Sequence, residues 1–397
     1  MNSGSRSETL TYCTNVHSGE GLSDVLNHLR GPVAQVRDEM NAPTPFVTGL
    51  RLSADAAMAL GDTSSLAALH DLIQEQRLLV RSLNGFPYGA FHSKRVKEQV
   101  YCPDWRDPAR LEYTTALARI LARLLPEDLT GSISTVPGGF KSILGDQGFQ
   151  DVLPLMVEQV ARLFEIHRDT GKVIVLALEP EPCCMLETVE ETLSFFSGAL
   201  WSSQAVALLA NRLSMPSSKA LDVLRKHTGI CLDLCHAAVE FESPRDMLAK
   251  LTGSGLQIAR IQVSSGLCLD PRDTEALEAL KDFDDGVYLH QVVARHENGL
   301  RRYTDLDVAM NSMRTEPGAL EWRVHFHVPV FCERAGPFGT TQFFIKEVLE
   351  HHRCAPLTQE LEVETYTWDV LPSTLRQTAL PQAIARELRW VKEVLQS

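Results

Sequence analysis

The chain has 397 residues, 44% of them hydrophobic and 22% charged, and a formal net charge of −13. That balance excludes a mainly disordered protein and supplies apolar side chains for a large core. The negative field repels nucleic-acid phosphates and anionic membrane surfaces, so the expected partner is a small-molecule metabolite and not a nucleic acid.

Eight short apolar runs read as strands: Leu10–His17, Phe46–Leu52, Leu78–Phe86, Ser132–Pro137, Val173–Glu179, Gly229–His236, Ile258–Ser265 and Leu361–Thr367. Each reads as buried on both faces, as parallel strands do. The intervals carry helical spacing, as in Leu22–Met40, Leu153–His167 and Leu380–Leu395. Between Asp107 and Leu125 the helix has its own punctuation: Asp107 to cap it, Pro108 at its first position and Pro126 to stop it. Strand followed by helix, eight times over, predicts a (β/α)8 TIM barrel spanning residues 1–397. No GxGxxG follows the first strand, so nothing supports a dinucleotide-binding open sheet.

Two inserts interrupt the repeat. Residues ~188–228 hold two or three helices. Residues ~267–357 are too long for one connection, and within them Asn298-Gly299 marks a β-hairpin. Because the insert 267–335 follows the seventh strand, it is expected over the C-terminal mouth, where barrel enzymes keep their active sites. A lid over the site and a homodimer contact are equally open for that hairpin. As a lid it brings His290, Arg295, Arg302 and Tyr303 to the mouth, with Arg302 able to grip an anionic substrate group.

The strand ends carry the chemistry. Asn15 and His17, Asn84, Glu179 and Glu181, Asp233 and His236, Gln262, and Glu364 all fall where an apolar run finishes, so a barrel gathers them at one mouth. Carboxylates packed there repel one another, and a divalent cation relieves the repulsion. Oxygen ligands with one or two nitrogens suit Mn, Mg or Zn. In HFHVPVF, His325 and His327 alternate on an extended run and face one side. His327 is expected to point inward, and His325 is equally readable as a solvent-facing loop residue. The loop Asn84–Trp105, with Phe86, Tyr88, His92, Lys94, Lys97, Tyr101 and Trp105, mixes aromatics and cations in a way that suits a ring-shaped or phosphorylated ligand, with Lys97 a candidate contact.

No apolar run approaches the ~20 residues of a membrane-crossing helix, and the opening MNSGSRSETLTYC lacks a signal-peptide core, so no membrane insertion is expected. Nine cysteines without a CxxC pair fit reduced, buried thiols and a cytoplasmic setting.

Glu179, Asp233 with His236, and Glu364 resemble the metal-site motifs of the xylose isomerase-like TIM-barrel superfamily, which includes sugar isomerases and epimerases and the endonuclease IV group. The strings LTYCTNVHSGE, LNGFPYGAFHSKRVKEQVYCPDW, LALEPEP, HFHVPVF and VETYTWDVLP are similar to its EboE "metabolite traffic" branch over nearly the whole chain. That resemblance implies metal ligands at Glu179, Asp233, Gln262 and Glu364. Gln262 stands where the superfamily usually offers histidine, and His327 compensates from the insert. It further implies proton transfer by Glu179 and Glu364, and a substrate-facing His236. The other substrate contacts expected are His17, Asn84, His327, Lys97 and Arg302. The activity implied is metal-dependent isomerisation or epimerisation of a small polyol or cyclitol-type metabolite. A metabolite carrier, a metal-dependent phosphoesterase and a purely structural barrel remain alternatives.

Overall fold

The computed structural model describes residues 9–90, 92, 96–145, 148–283, 286–315, 317–373 and 375–397. Lys94 lies outside them. Eight strands form one parallel sheet: β1 (Thr9–Tyr12), β2 (Phe46–Arg51), β3 (Leu78–Asn84), β4 (Thr130–Thr135), β5 (Val173–Leu178), β6 (Thr228–Asp233), β7 (Ile258–Val263) and, after a second sheet, β14 (Glu360–Val363). Their spatial order is β1-β14-β7-β6-β5-β4-β3-β2, and a parallel bridge between Cys13 and Gly49 joins the two ends. The sheet is therefore a (β/α)8 barrel, and all eight predicted runs are its strands.

Local chemistry explains where elements start and stop. Asp107 accepts from Ala109 N and caps the helix Pro108–Leu124. The predicted helix Leu22–Met40 forms in three pieces, with a π-turn at Leu29–Val33 holding Pro32. Pro32 has no N–H to give the preceding turn, so the ladder widens there. Strand β6 stops at Asp233 rather than His236, because the Asp233 carboxylate accepts from His236 N and opens the helix Leu234–Val239. Three helices, Val189–Phe195, Ser203–Leu213 and Ser217–His227, fill the first insert. Among the described residues no single helix is long and apolar enough to cross a membrane.

The second insert builds a sheet of its own. It comprises β8 (Ser265–Leu269), β9 (Val292–His296), β10 (Gly299–Tyr303), β11 (Glu321–Val328), β12 (Arg334–Ala335) and β13 (Phe338–Thr340), in the order β10-β9-β11-β8-β13-β12. Only Ser264 separates β7 from β8, so this cap starts where the barrel strand ends. The hairpin turns at Glu297-Asn298, one residue earlier than expected, because His296 pairs with Gly299, and Gly299 takes the positive φ of 132°. The hairpin is not a free-standing flap: β9 pairs with β11 along its length.

The barrel interior below the mouth is polar. Arg260 and Glu362 are buried with Nε 3.7 Å from Oε1, and Ser82 hydrogen-bonds Glu360. Gly49 faces this layer at the closing seam. A Cβ there would sit 1.7 Å from Glu362 Oε2 and 3.1 Å from Tyr12 O. Gly49→Ala should therefore destabilise the protein by about 1–3 kcal/mol, the usual cost of overpacking. Urea unfolding checks this, and an unchanged midpoint would mean that Glu362 swings aside without cost.

Candidate metal centre

Three strand ends bring three carboxylates together. Glu179 follows β5 and is held by its N–H to Thr135 O at 3.1 Å; Asp233 ends β6; Glu364 follows β14, its N–H on Val263 O at 3.1 Å. One oxygen from each lies within 4.8 Å of the others. Glu364 Oε1 accepts from Asn15 Nδ2 at 2.7 Å and Asn84 Nδ2 at 3.1 Å. Asp233 Oδ1 accepts from His236 N and Ser264 Oγ, at 2.9 and 2.7 Å. Glu179 Oε2 and Asp233 Oδ2 are buried with no hydrogen-bond partner.

Three imidazoles stand beside this triad, His236 and His327 within reach of Asp233. His236 stands in the first turn after β6, and His325 and His327 project together from β11, the strand flanked by β8 and β9 at the middle of the cap. In each ring Nδ1 faces an oxygen that can only accept: Pro180 O at 2.9 Å, Gln291 Oε1 at 2.7 Å and Glu364 O at 2.7 Å respectively. The amide of Gln291 is oriented by its own Nε2, which donates to Tyr101 Oη, Glu181 Oε1 and Pro182 O. The proton is thus on Nδ1 in all three rings, and each Nε2 carries a bare lone pair. The Nε2 atoms of His236 and His325 face each other at 3.1 Å. His327 Nε2 is buried without a hydrogen bond, 3.9 Å from the equally unpaired Asp233 Oδ2. Carbonyl-anchored imidazoles with converging lone pairs are the outer-shell pattern of metal ligands.

These residues fit a divalent cation. They offer an oxygen-rich set, Glu179, Asp233 and Glu364, and a nitrogen-rich set, Asp233, His236 and His327, sharing Asp233. Glu181 and Cys235 add further donors beside His325. In the metal-free protein, burial, then the Asp233 charge, pushes the Glu179 carboxyl well up; burial, then Glu179 and Asp233, does the same to Glu364. Burial lifts Glu181 to about 8 against the hydrogen bonds of Tyr101 and Gln291. The His236 and His325 imidazoles are pushed well down, mainly by burial.

The cavity over the centre measures about 50 Å³ and is walled by Phe86, Tyr101, Tyr288 and Tyr366, with Asn84, Glu181 and Lys97 at its edge. The loop after β3 meets the cap there: Val96 N and Lys97 N both donate to Val287 O, and the Lys97 ammonium is paired with Asp305.

The predicted residues thus divide. Glu179, Asp233, Glu364, His236, His327 and Asn84 come together. Lys97 lines the cavity with its charge already met. His17 does not line this cavity; its Nε2 lies 3.0 Å from Tyr12 Oη, beside His28. Gln262 lies in register with Asp233, but its Oε1 accepts from Cys231 Sγ at 3.0 Å and it sits in the polar layer with Arg260, while His327 Nε2 lies 3.9 Å from Asp233 Oδ2. Arg302 pairs with Glu240 at 2.6 Å and lies 3.6 Å from Glu187, because the hairpin is bound into the cap sheet and turns this side chain toward the helix after β6. From the same insert, Arg295 pairs with Glu321, and His290 packs on Phe326. His325, Tyr101, Gln291 and Tyr366 were not assigned to the centre from sequence, and Asn15 and Glu181 were seen at strand ends without a role. The alternation in HFH and in the Glu-Pro-Glu of LALEPEP was the available signal.

No family model matches the chain, and no curated protein does. Solved structures similar to it include the IolI protein with a bound zinc atom (TM-score 0.47, 13% identity, 98% of each chain covered). Another is a xylose isomerase domain protein from Alicyclobacillus acidocaldarius (TM-score 0.45, 12% identity, 98% of this chain and 99% of that one). A third is a xylose isomerase domain-containing protein from Salmonella typhimurium (TM-score 0.39, 12% identity, 98% of each chain). The EboE branch is not among these matches. The barrel assignment rests on the closed order of the strands.

A carboxyl that binds its proton more tightly folded than unfolded stabilises the protein at low pH and loses that contribution as pH climbs through the folded value. Glu181 at about 8, Glu362, Glu240 and Glu387 at about 7, and the raised Glu179 and Glu364 all act in this direction. The depressed histidines act oppositely, but only below about 6.5. Metal-free protein should therefore lose thermal stability from pH 6.5 to 9, and the stabilisation given by Zn²⁺ or Mn²⁺ should grow over the same range as the cation displaces protons. Melting curves with and without chelator test this. A flat profile in both would contradict it.

Proposed function

We propose that this protein is a divalent-cation-dependent enzyme of isomerase or epimerase type, acting on a small polyol or cyclitol-type metabolite in secondary-metabolite processing or traffic. The observation that carries the cation is the buried carboxylate triad with two unpaired oxygens, met at Asp233 by the unpaired Nε2 of His327. Glu179, Asp233, Glu364 and His327 would hold it, with His236 and His325 beside them. When bound, the cation supplies positive charge opposite the charge that develops on a substrate carbonyl oxygen. The protein's groups do the rest. Glu179 and Glu364 face one another across the mouth and can take a proton from a carbon beside a carbonyl and return it to the adjacent carbon. His236, with its Nδ1–H fixed on Pro180 O, accepts from a substrate hydroxyl. The tyrosines and Phe86 exclude water from the cavity. Lys97 is already neutralised by Asp305, which favours an uncharged polyol over a phosphate ester.

Asp233 belongs to both ligand sets, so Asp233→Asn should lower Zn²⁺ and Mn²⁺ affinity by on the order of 100-fold or more. Deuterium uptake from D₂O into cyclitol ketones and ketoses, present with the cation and absent after chelation, is the expected sign of turnover. Cation-dependent hydrolysis of small phosphate esters without exchange would favour the esterase reading, which the imidazole-rich set suits. Tight ligand binding with neither reaction would make the protein a carrier.

A ligand in this cavity meets the cap edge, where Val96 N and Lys97 N donate to Val287 O. Hydrogen exchange over residues 287–306 should slow when ligand is bound, at any protein concentration. Protection that appears only as the protein is concentrated would make this edge a dimer contact instead.

A further inference from the structure

The C-terminal helix Leu380–Gln396 buries one carboxylate, Glu387, which is 1% exposed and points into the barrel's rim. Its Oε1 accepts from Val330 N at 3.2 Å and Thr365 Oγ1 at 2.6 Å, and its Oε2 accepts from Trp368 Nε1 at 3.1 Å. No cation pairs with it among the described residues. A buried carboxylate held by three neutral donors costs stability relative to an apolar side chain unless every donor is well placed.

The donors belong to two segments with one thing in common. Val330 lies three residues past His327, where β11 leaves the cap. Thr365 follows Glu364, and Trp368 ends the turn that carries the cavity wall Tyr366. The same two segments are stitched together at the centre: His327 Nδ1 donates to Glu364 O, and Thr367 Oγ1 donates to His327 O. Glu387 thus grips both the segment that follows the cap strand bearing a nitrogen ligand and the barrel loop bearing an oxygen ligand, from outside the centre.

We propose that Glu387 is a positioning residue for the cation centre, fixing His327 and Glu364 at their mutual distance through the Val330, Thr365 and Trp368 contacts. The proposal rests on the cation reading above. Glu387→Gln keeps the shape but turns an NH₂ group toward a donor, so at least one contact is lost and the two segments loosen. Zn²⁺ affinity, measured by competition with a chromophoric chelator on the full chain, should fall about tenfold, the lower end of what loss of outer-shell support costs. Thr365→Val, which removes a single donor without changing size, should weaken Zn²⁺ several-fold and serves if Glu387→Gln does not fold. The thermal midpoint of the metal-free variants is measured in parallel. A purely structural Glu387 would lower that midpoint and leave Zn²⁺ affinity unchanged, and this result overturns the proposal. Wild-type protein that binds no Zn²⁺ would instead overturn the cation reading itself, and the positioning role with it.

Discussion

Mutual repulsion of three buried carboxylates governs this molecule. Two unit charges 4.8 Å apart repel by about 3.5 kcal/mol at an effective dielectric of about 20. Three such pairs together rival the whole stability of an ordinary domain, about 5–15 kcal/mol. Glu179, Asp233 and Glu364 cannot all be ionised at that spacing without positive charge among them. Burial and the neighbouring charges push the Glu179 and Glu364 carboxyls up, toward their protonated forms, and a cation at this point would relieve the same repulsion. The neighbouring side chains are arranged around one or other solution. Asn15 and Asn84 donate to Glu364, Ser264 donates to Asp233, and Arg260 places a buried positive charge in the layer beneath.

The histidines complete the same electrostatic design from the other side. A charged imidazole would also offset carboxylates, but burial and mutual proximity keep these rings neutral. Their Nδ1 protons are committed to carbonyl oxygens, which leaves lone pairs and no charge at the centre. Neutral nitrogen and anionic oxygen meeting at Asp233 make a graded site, harder toward Glu179 and Glu364 and softer toward His236 and His327.

The barrel was legible because parallel strands buried on both faces leave unbroken apolar runs, and because Asp107-Pro108 and the strand-end carboxylates stand out against them. Glu179, Asp233, His236 and Glu364 follow directly from that pattern. The cap was not legible as a sheet. Its strands pair antiparallel over long sequence separations, and only the Asn298-Gly299 hairpin leaves a local signal. That is why Arg302 was expected at the mouth, although pairing with β9 turns it to Glu240. Gln262 shows a second limit. Register places a residue at the right height on a strand, but the partner it meets, here Cys231, is decided by neighbours far away in sequence. His325 was available from period-two alternation with His327. What sequence could not supply was the Gln291 amide that fixes its tautomer.

The cap does more than cover the mouth, because β11 supplies His325 and His327 while only Ser264 tethers β8 to β7. Lifting the cap as a body would strip nitrogen donors from the centre. A cation held there and a metabolite reaching it would therefore both depend on how this one cap is seated.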